Sequence, residues 1–266
     1  VVTTREELEA AIKCAVQANI IVDKRDEMPT GDGDWKQRDI EDIIGLCLHH
    51  TGSGNTKNVK GIARYHAGPN HISDDGLPGI CYHIAAPDLD EPAWLVSDPL
   101  NRVYGQGSGR HPGDENGHLL ALVVLGDFDG PGHKGKFEQP TVRQMAHAIR
   151  ALDWAQFVFG FGNQGLFGHH DFGKAACPGY WGMAFLDERR KGCPDLRTDL
   201  DWQHALLRWD PSCLPKYGAD GVWGGECKRA LYLFQKDAGV RRTGMKDPFT
   251  ELKLMREVSW PAGEQG

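Results

Sequence analysis

Residues 43–50 read IIGLCLHH. Six apolar or small side chains follow one another without a polar interruption, and two histidines close the run. A short continuous apolar run with no period-two alternation predicts a central strand buried on both faces, not an edge strand with one wet face. Such a strand needs other strands beside it and helices above and below it. Two further strands are predicted at GICYHIAAP (79–87) and HLLALVVLGDF (118–128), the second rich in Leu and Val and stopped at Gly126.

The covering helices are marked by their starts. Thr4 and Glu7 predict a capping box ahead of Leu8, Ala11, Ile12 and Ala15 on one face. In PTVRQMAHAIRALDWAQFV (140–158), Thr141 and Gln144 predict a second capping box, and Val142, Met145, Ile149 and Leu152 recur at helical spacing as the expected core face. The stretches MPTGDGDWKQRD (28–39) and GSGRHPGDENG (107–117) read as surface loops. Strands interleaved with helices give an α/β or α+β layer domain that ends near residue 190. The tail differs in kind. TDLDWQHALLRW, GGECKRALYLFQKDAG and DPFTELKLMRE are three short amphipathic segments separated by YGADGVWG and VRRTG, which predicts a small three-helix domain from about residue 195.

Composition narrows the function. Net charge is −7, and acidic and basic side chains balance from residue 195 on, so the whole deficit lies before it and a general electrostatic grip on nucleic acid is disfavoured. No run approaches the roughly 18 apolar residues of a membrane span, and the opening VVTTREELEA carries no signal-peptide pattern. The seven cysteines are an odd number. Cys14, Cys47 and Cys81 sit in apolar segments and are expected to be buried thiols, whereas Cys193 and Cys213 flank the linker and leave a pairing open.

The chemistry concentrates in GHHDFGKAACPG (168–179), where His169 and Cys177 flank a glycine-containing turn, and in the histidines that end the 43–50 run. Two imidazoles and a thiolate suit Zn²⁺, and three protein ligands leave a fourth tetrahedral position for water. His49 with His169 and Cys177 is one such set. His50 and His170 are rivals, because strand alternation lets only one of each adjacent pair point at a given site.

Taken in order, LCLHHTGSG, CYHIAAP, LALVVLGDF and GHHDFGKAACPG resemble the zinc amidase domain shared by phage lysozyme amidases, N-acetylmuramoyl-L-alanine amidases and peptidoglycan recognition proteins, over roughly residues 40 to 185. The resemblance implies a mixed central sheet covered by helices in a catalytic domain at 1–190, with Zn²⁺ on His49, His169 and Cys177. It implies a catalytic Tyr82. Lys174 is a candidate oxyanion group, one position earlier than the family's Lys or Thr, where this chain has Ala175. A catalytic Glu found in another branch of the family corresponds here to Val123. The tail, with its Asp220-Gly221 turn and Phe234-Gln235 helix end, resembles a three-helix peptidoglycan-binding module at 195–260. Together these imply a monomeric endolysin-like hydrolase acting on the cell wall, with peptidoglycan as partner and no nucleic acid or membrane. A peptidoglycan-binding protein without turnover and a zinc peptidase acting on the stem peptide are the alternatives.

Overall fold

A computed structural model of the chain describes residues 1–70, 73–104, 115–129, 139–191, 198–240, 242–246 and 248–258. Its elements in order are α1 (Arg5–Gln17), β1 (Ile21–Asp23), β2 (Gly45–His50), α2 (Val59–Ala67), β3 (Ile84–Ala86), β4 (Ala93–Leu95), α3 (Glu115–His118), β5 (Leu119–Val124), α4 (Val142–Phe159), β6 (Leu166–Gly168), α5 (Gly179–Arg190), α6 (Asp199–Trp209), α7 (Gly225–Asp237) and α8 (Pro248–Glu257). They fall into two compact units, Val1–Ser108 with Asn116–Arg189, and Gly109–Glu115 with Arg190–Gly266.

The first unit holds a mixed six-stranded sheet in the order β1-β4-β3-β5-β2-β6. All neighbours are parallel except β3 and β4. All six residues of β2 are buried, as are all six of β5, because both strands are central and covered on both faces. Alternation sorts their side chains. Leu46, Leu48, Leu120, Leu122 and Val124 face a core completed by Leu8, Ile12 and Ala15 of α1, the inner side of α4 and Leu186 of α5. Ala85, Trp94 and Val123 face the other way, toward Val59 and Ala63 of α2.

The capping box of α1 forms between Thr4 and Glu7, and Leu8, Ile12 and Ala15 are buried. At α4 the expectation fails in two ways. Thr141 does accept from the Gln144 N–H, but the Gln144 side chain turns inward and donates to the carbonyls of Ala86 and Leu125 at 2.9 and 2.8 Å. The amide that would have closed a capping box instead ties together the carboxyl ends of β3 and β5. The core face rotates with it: Val142 is 84% exposed, while Gln144, Ala148, Ala151, Leu152, Ala155 and Val158 are buried. Leu152 is buried as expected, and three alanines share the inner face with it.

Other expectations are also corrected. The segment 79–87 forms a strand only over Ile84–Ala86, and the short strands β4 and β6 gave no sequence signal of their own. Cys14 is exposed on α1, whereas Cys47 and Cys81 are buried. Cys213 is a free thiol, and Cys193 lies outside the described residues.

In the second unit, Trp202, Leu206, Leu231, Phe234 and Leu254 form a core of their own. Two buried glutamines secure its turns. Gln203 donates to Asp220 Oδ1 and the Val222 carbonyl and accepts from Gly221 N–H at 2.7 Å. Gln235 donates to Thr243, Thr250 and the Met245 carbonyl, and accepts from the N–H groups of Thr243 and Gly244, both at 2.8 Å. Both clamped turns carry a left-handed glycine, Gly221 at φ +77° and Gly244 at φ +66°.

Candidate metal centre

Strand register creates the site. β2 and β6 run parallel with Leu48 opposite Gly168, so the next residues, His49 and His169, leave the sheet side by side. Their rings stand edge to face with centroids 4.6 Å apart. After Gly168 the chain makes a 3₁₀ turn over His169–Phe172, anchored by Gly168 N–H donating to Asp171 Oδ2 at 2.9 Å. It reverses at Gly173, whose φ of +89° suits glycine, and returns Cys177 to the pair. Cys177 Sγ lies 3.8 Å from His49 Nδ1, and the potential ligand atoms of His49, His169 and Cys177 all lie within 4.8 Å of one another.

These distances fit a metal ion. For tetrahedral zinc, with Zn–S about 2.3 Å and Zn–N about 2.0–2.1 Å, the sulfur–nitrogen edge is about 3.6 Å. His49 is buried, and its Nε2 has no hydrogen-bond partner among the described residues. Burial, followed by the neighbouring His169, His50 and His83, drives its pKa well below the ordinary histidine value, so the imidazole is neutral and Nδ1, the nitrogen that faces Cys177 Sγ, can offer a lone pair. Burial pushes the Cys177 thiol up to about 12, partly offset by the His50 backbone N–H. His49 and Cys177 thus both resist carrying charge alone, and a divalent cation between them would favour the deprotonated thiol.

The second histidine of each pair has another role. His50 points to the opposite face from His49: its backbone N–H donates to Cys177 Sγ at 3.4 Å, its Nδ1 accepts from Phe128 N–H at 3.1 Å, and its Nε2 lies 3.1 Å from Asp129 Oδ1. His170 lies with Nε2 3.3 Å from Asp171 Oδ1. Tyr82 does reach the cluster, its ring centroid 5.3 Å from that of His49 and 5.7 Å from that of His66. Burial raises its phenol well above the ordinary tyrosine value, with Cys177, Cys81 and Cys47 adding to the shift, so its O–H is retained at any ordinary pH. Lys174 is exposed on the turn that joins His169 to Cys177, and its own N–H donates to the His169 carbonyl at 3.2 Å.

Sequence reasoning missed His66 and Asp129. His66 on α2 is buried and accepts from Cys81 N–H through Nδ1 at 3.2 Å, which holds the segment carrying Tyr82. No spacing rule links 66 to 81 or 50 to 129. A cleft of about 570 Å³ also opens on this unit, lined by Met28, Trp35, Ile80, Val96 and Asn101, and no residue of the cluster lines it.

Over 51 residues the chain is 43% identical to a probable N-acetylmuramoyl-L-alanine amidase of Bacillus licheniformis. The chain is similar to N-acetylmuramoyl-L-alanine amidases. The match takes in 19% of this chain and only 14% of that relative's length. No protein-family model matches. Among solved structures, the chain is 18% identical to the endolysin amidase LysCS of Clostridium intestinale, covering 63% of this chain and 95% of that one with a TM-score of 0.41. It is 13% identical to Drosophila PGRP-LB in complex with tracheal cytotoxin, covering 60% and 88% with a TM-score of 0.44. To the amidase AmiD of E. coli in complex with an anhydro-muropeptide it is also 13% identical, covering 87% and 92% with a TM-score of 0.36. At such scores the likeness adds nothing to what the strand pairing already shows.

Proposed function

We propose that the chain is a zinc-dependent peptidoglycan amidase that cleaves the bond between N-acetylmuramic acid and the L-alanine of the stem peptide. The observation that carries this reading is the convergence of His49, which is buried, with His169 and Cys177, which are half-buried, where two parallel strands end. The similarity to an amidase over 51 residues supplies the bond type. His49, His169 and Cys177 would hold the ion. Zinc bound there supplies a Lewis acid and activates water near neutral pH.

The remaining residues act by position and charge. The Tyr82 hydroxyl, kept protonated by burial, donates a hydrogen bond toward the oxygen of the scissile carbonyl, where negative charge develops. Lys174, on the exposed rim of the turn, adds positive charge near the same oxygen at a smaller benefit, because solvent screens it. The three-helix unit is assigned to wall binding. Tethering a weak wall-binding module raises the effective concentration of the catalytic unit at the polymer without any new contact at the site.

The test is digestion of purified peptidoglycan with and without a zinc chelator, with mass spectrometry of the released fragments. The reading requires free stem peptides beginning with L-alanine, lost on chelation and restored by zinc. Retention on intact wall without release would make this a binding protein. Release of D-alanine or cross-bridge residues would make it a peptidase. A chain ending at residue 191 should keep cleavage of a soluble muropeptide and lose sedimentation with insoluble wall.

A further inference from the structure

His50, Asp127 and Asp129 form a second cluster whose potential ligand atoms lie within 4.8 Å of one another, so its composition alone would allow a second metal. Hydrogen bonding decides against that. Phe128 N–H donates to His50 Nδ1, which makes Nδ1 the acceptor and leaves the ring proton on Nε2, 3.1 Å from Asp129 Oδ1. A metal at Nε2 would have to displace that proton while Nδ1 still accepts, leaving an imidazolate.

The same contacts close a circuit around the sulfur of Cys177. His50 N–H donates to Sγ at 3.4 Å, Phe128 N–H donates to the His50 ring at 3.1 Å, and Tyr180 N–H, three residues beyond the cysteine, donates to the Phe128 carbonyl at 2.8 Å. The turn before Phe128 is tied to the same strand end, because Thr51 Oγ1 accepts from Gly126 N–H at 2.9 Å and Gly52 N–H donates to the Gly126 carbonyl at 3.0 Å. Gly179 presses so closely on Phe128 that an added Cβ would sit 2.4 Å from its carbonyl oxygen. The strand end, the 126–129 turn and the cysteine turn are therefore one clamped body.

We propose that His50 and Asp129 are positioning residues that fix the Cys177 sulfur for the metal through the Phe128 peptide, and that they hold no ion themselves. The inference rests on the reading of His49, His169 and Cys177 as a zinc site. Groups that orient metal ligands are typically worth roughly tenfold to a hundredfold in metal affinity. The asymmetry of the ring gives a discriminating pair of variants. In His50→Asn the side-chain oxygen can replace Nδ1 as acceptor for Phe128 N–H. In His50→Gln the amide reaches the Nε2 position toward Asp129 and leaves Phe128 N–H unserved.

The experiment is zinc competition against a chromophoric chelator on the full-length chain, with metal stoichiometry, the sulfur-to-metal charge-transfer band of the cobalt-substituted protein and the urea midpoint of each metal-free variant. One zinc per chain is expected, with affinity falling about tenfold or more in His50→Gln and Asp129→Ala and largely kept in His50→Asn. The cobalt band should shift in the first two variants at an unchanged metal-free urea midpoint. Equal affinity and an unmoved band in His50→Gln and Asp129→Ala overturn the proposal and leave the zinc site standing. Two ions per chain, the second lost in Asp129→Ala, overturn it in favour of a second metal site. A chain that binds no zinc at all overturns the zinc reading and this inference together.

Discussion

Both units bury polar side chains, and they do so in opposite ways. In the helical unit, Gln203 and Gln235 are fully buried and each spends its amide on several partners, locking a glycine turn. In the sheet unit, His49 is equally buried, has a ring nitrogen without a hydrogen bond among the described residues, and stands beside another imidazole and a thiol. A buried polar group without a partner costs on the order of 1–3 kcal/mol, and the His49 nitrogen turned toward the Cys177 sulfur, Nδ1, lies 3.8 Å from it. His83, in the same sheet unit, is the control. It is fully buried and held by Ala121 N–H on Nδ1 at 2.8 Å, with the Asn101 carbonyl 2.8 Å and Arg38 3.1 Å from Nε2. Both ring nitrogens of His83 are taken up by the fold, whereas Nδ1 of His49 faces the sulfur of Cys177 beside His169.

The strongest way to break this contrast is Cys177→Ser. Zinc affinity, read by chelator competition, should fall by roughly a hundredfold or more, and release of stem peptides should drop to background, because a hydroxyl is a poor ligand where a thiolate stood. A variant with full zinc and full rate would remove the cluster from the chemistry. Tyr82→Phe comes next. It should keep the zinc content and cut the rate by about a hundredfold, the usual scale for one positioned proton donor, and an unchanged rate would return Tyr82 to packing.

The helical unit should respond in stability alone. Gln235→Ala leaves the N–H groups of Thr243 and Gly244 without their acceptor, which should cost about 2–4 kcal/mol in urea unfolding with zinc content unmoved. Over any one pH unit the smallest effect is a slope. Burial, then Arg38, lowers the His83 pKa from 6.5 to about 3, so the native ring stays neutral while the unfolded one protonates. Its contribution is therefore present above pH 6.5 and is lost as pH falls toward 3, at about 1.4 kcal/mol per pH unit for one proton. His83→Asn, which keeps an acceptor for Ala121 N–H, should flatten the stability profile by that slope. An identical profile would mean that His83 does not titrate on unfolding.

Much of this architecture is legible locally. The run at 43–50 announces a doubly covered strand because nothing polar interrupts it, and the Thr4–Glu7 box starts α1 because both partners lie within one turn. The spacing of His169 and Cys177 around Gly173 brings a reversal into view, since the left-handed glycine is a property of that one residue. Short strands were not legible. β6 has three residues, Leu166–Gly168, and exists only because β2 lies beside it.

What the sequence determined by itself is the set of residue types and their periodicities: apolar strands, capped helices, and one histidine of each adjacent pair available to a shared site. The resemblance picks His49 and His169, and the tertiary structure is what brings those two together with Cys177. Alternation places His49 and His50 on opposite faces, but which face carries the cluster depends on the β2–β6 register and on where the Cys177 turn returns. Val142 against Gln144 is the same case: helical spacing fixes which residues share a stripe, and the sheet beneath selects the stripe. Pairs such as 50 with 129 and 66 with 81 belong wholly to the second category, because no local rule relates positions that only the folded chain brings together.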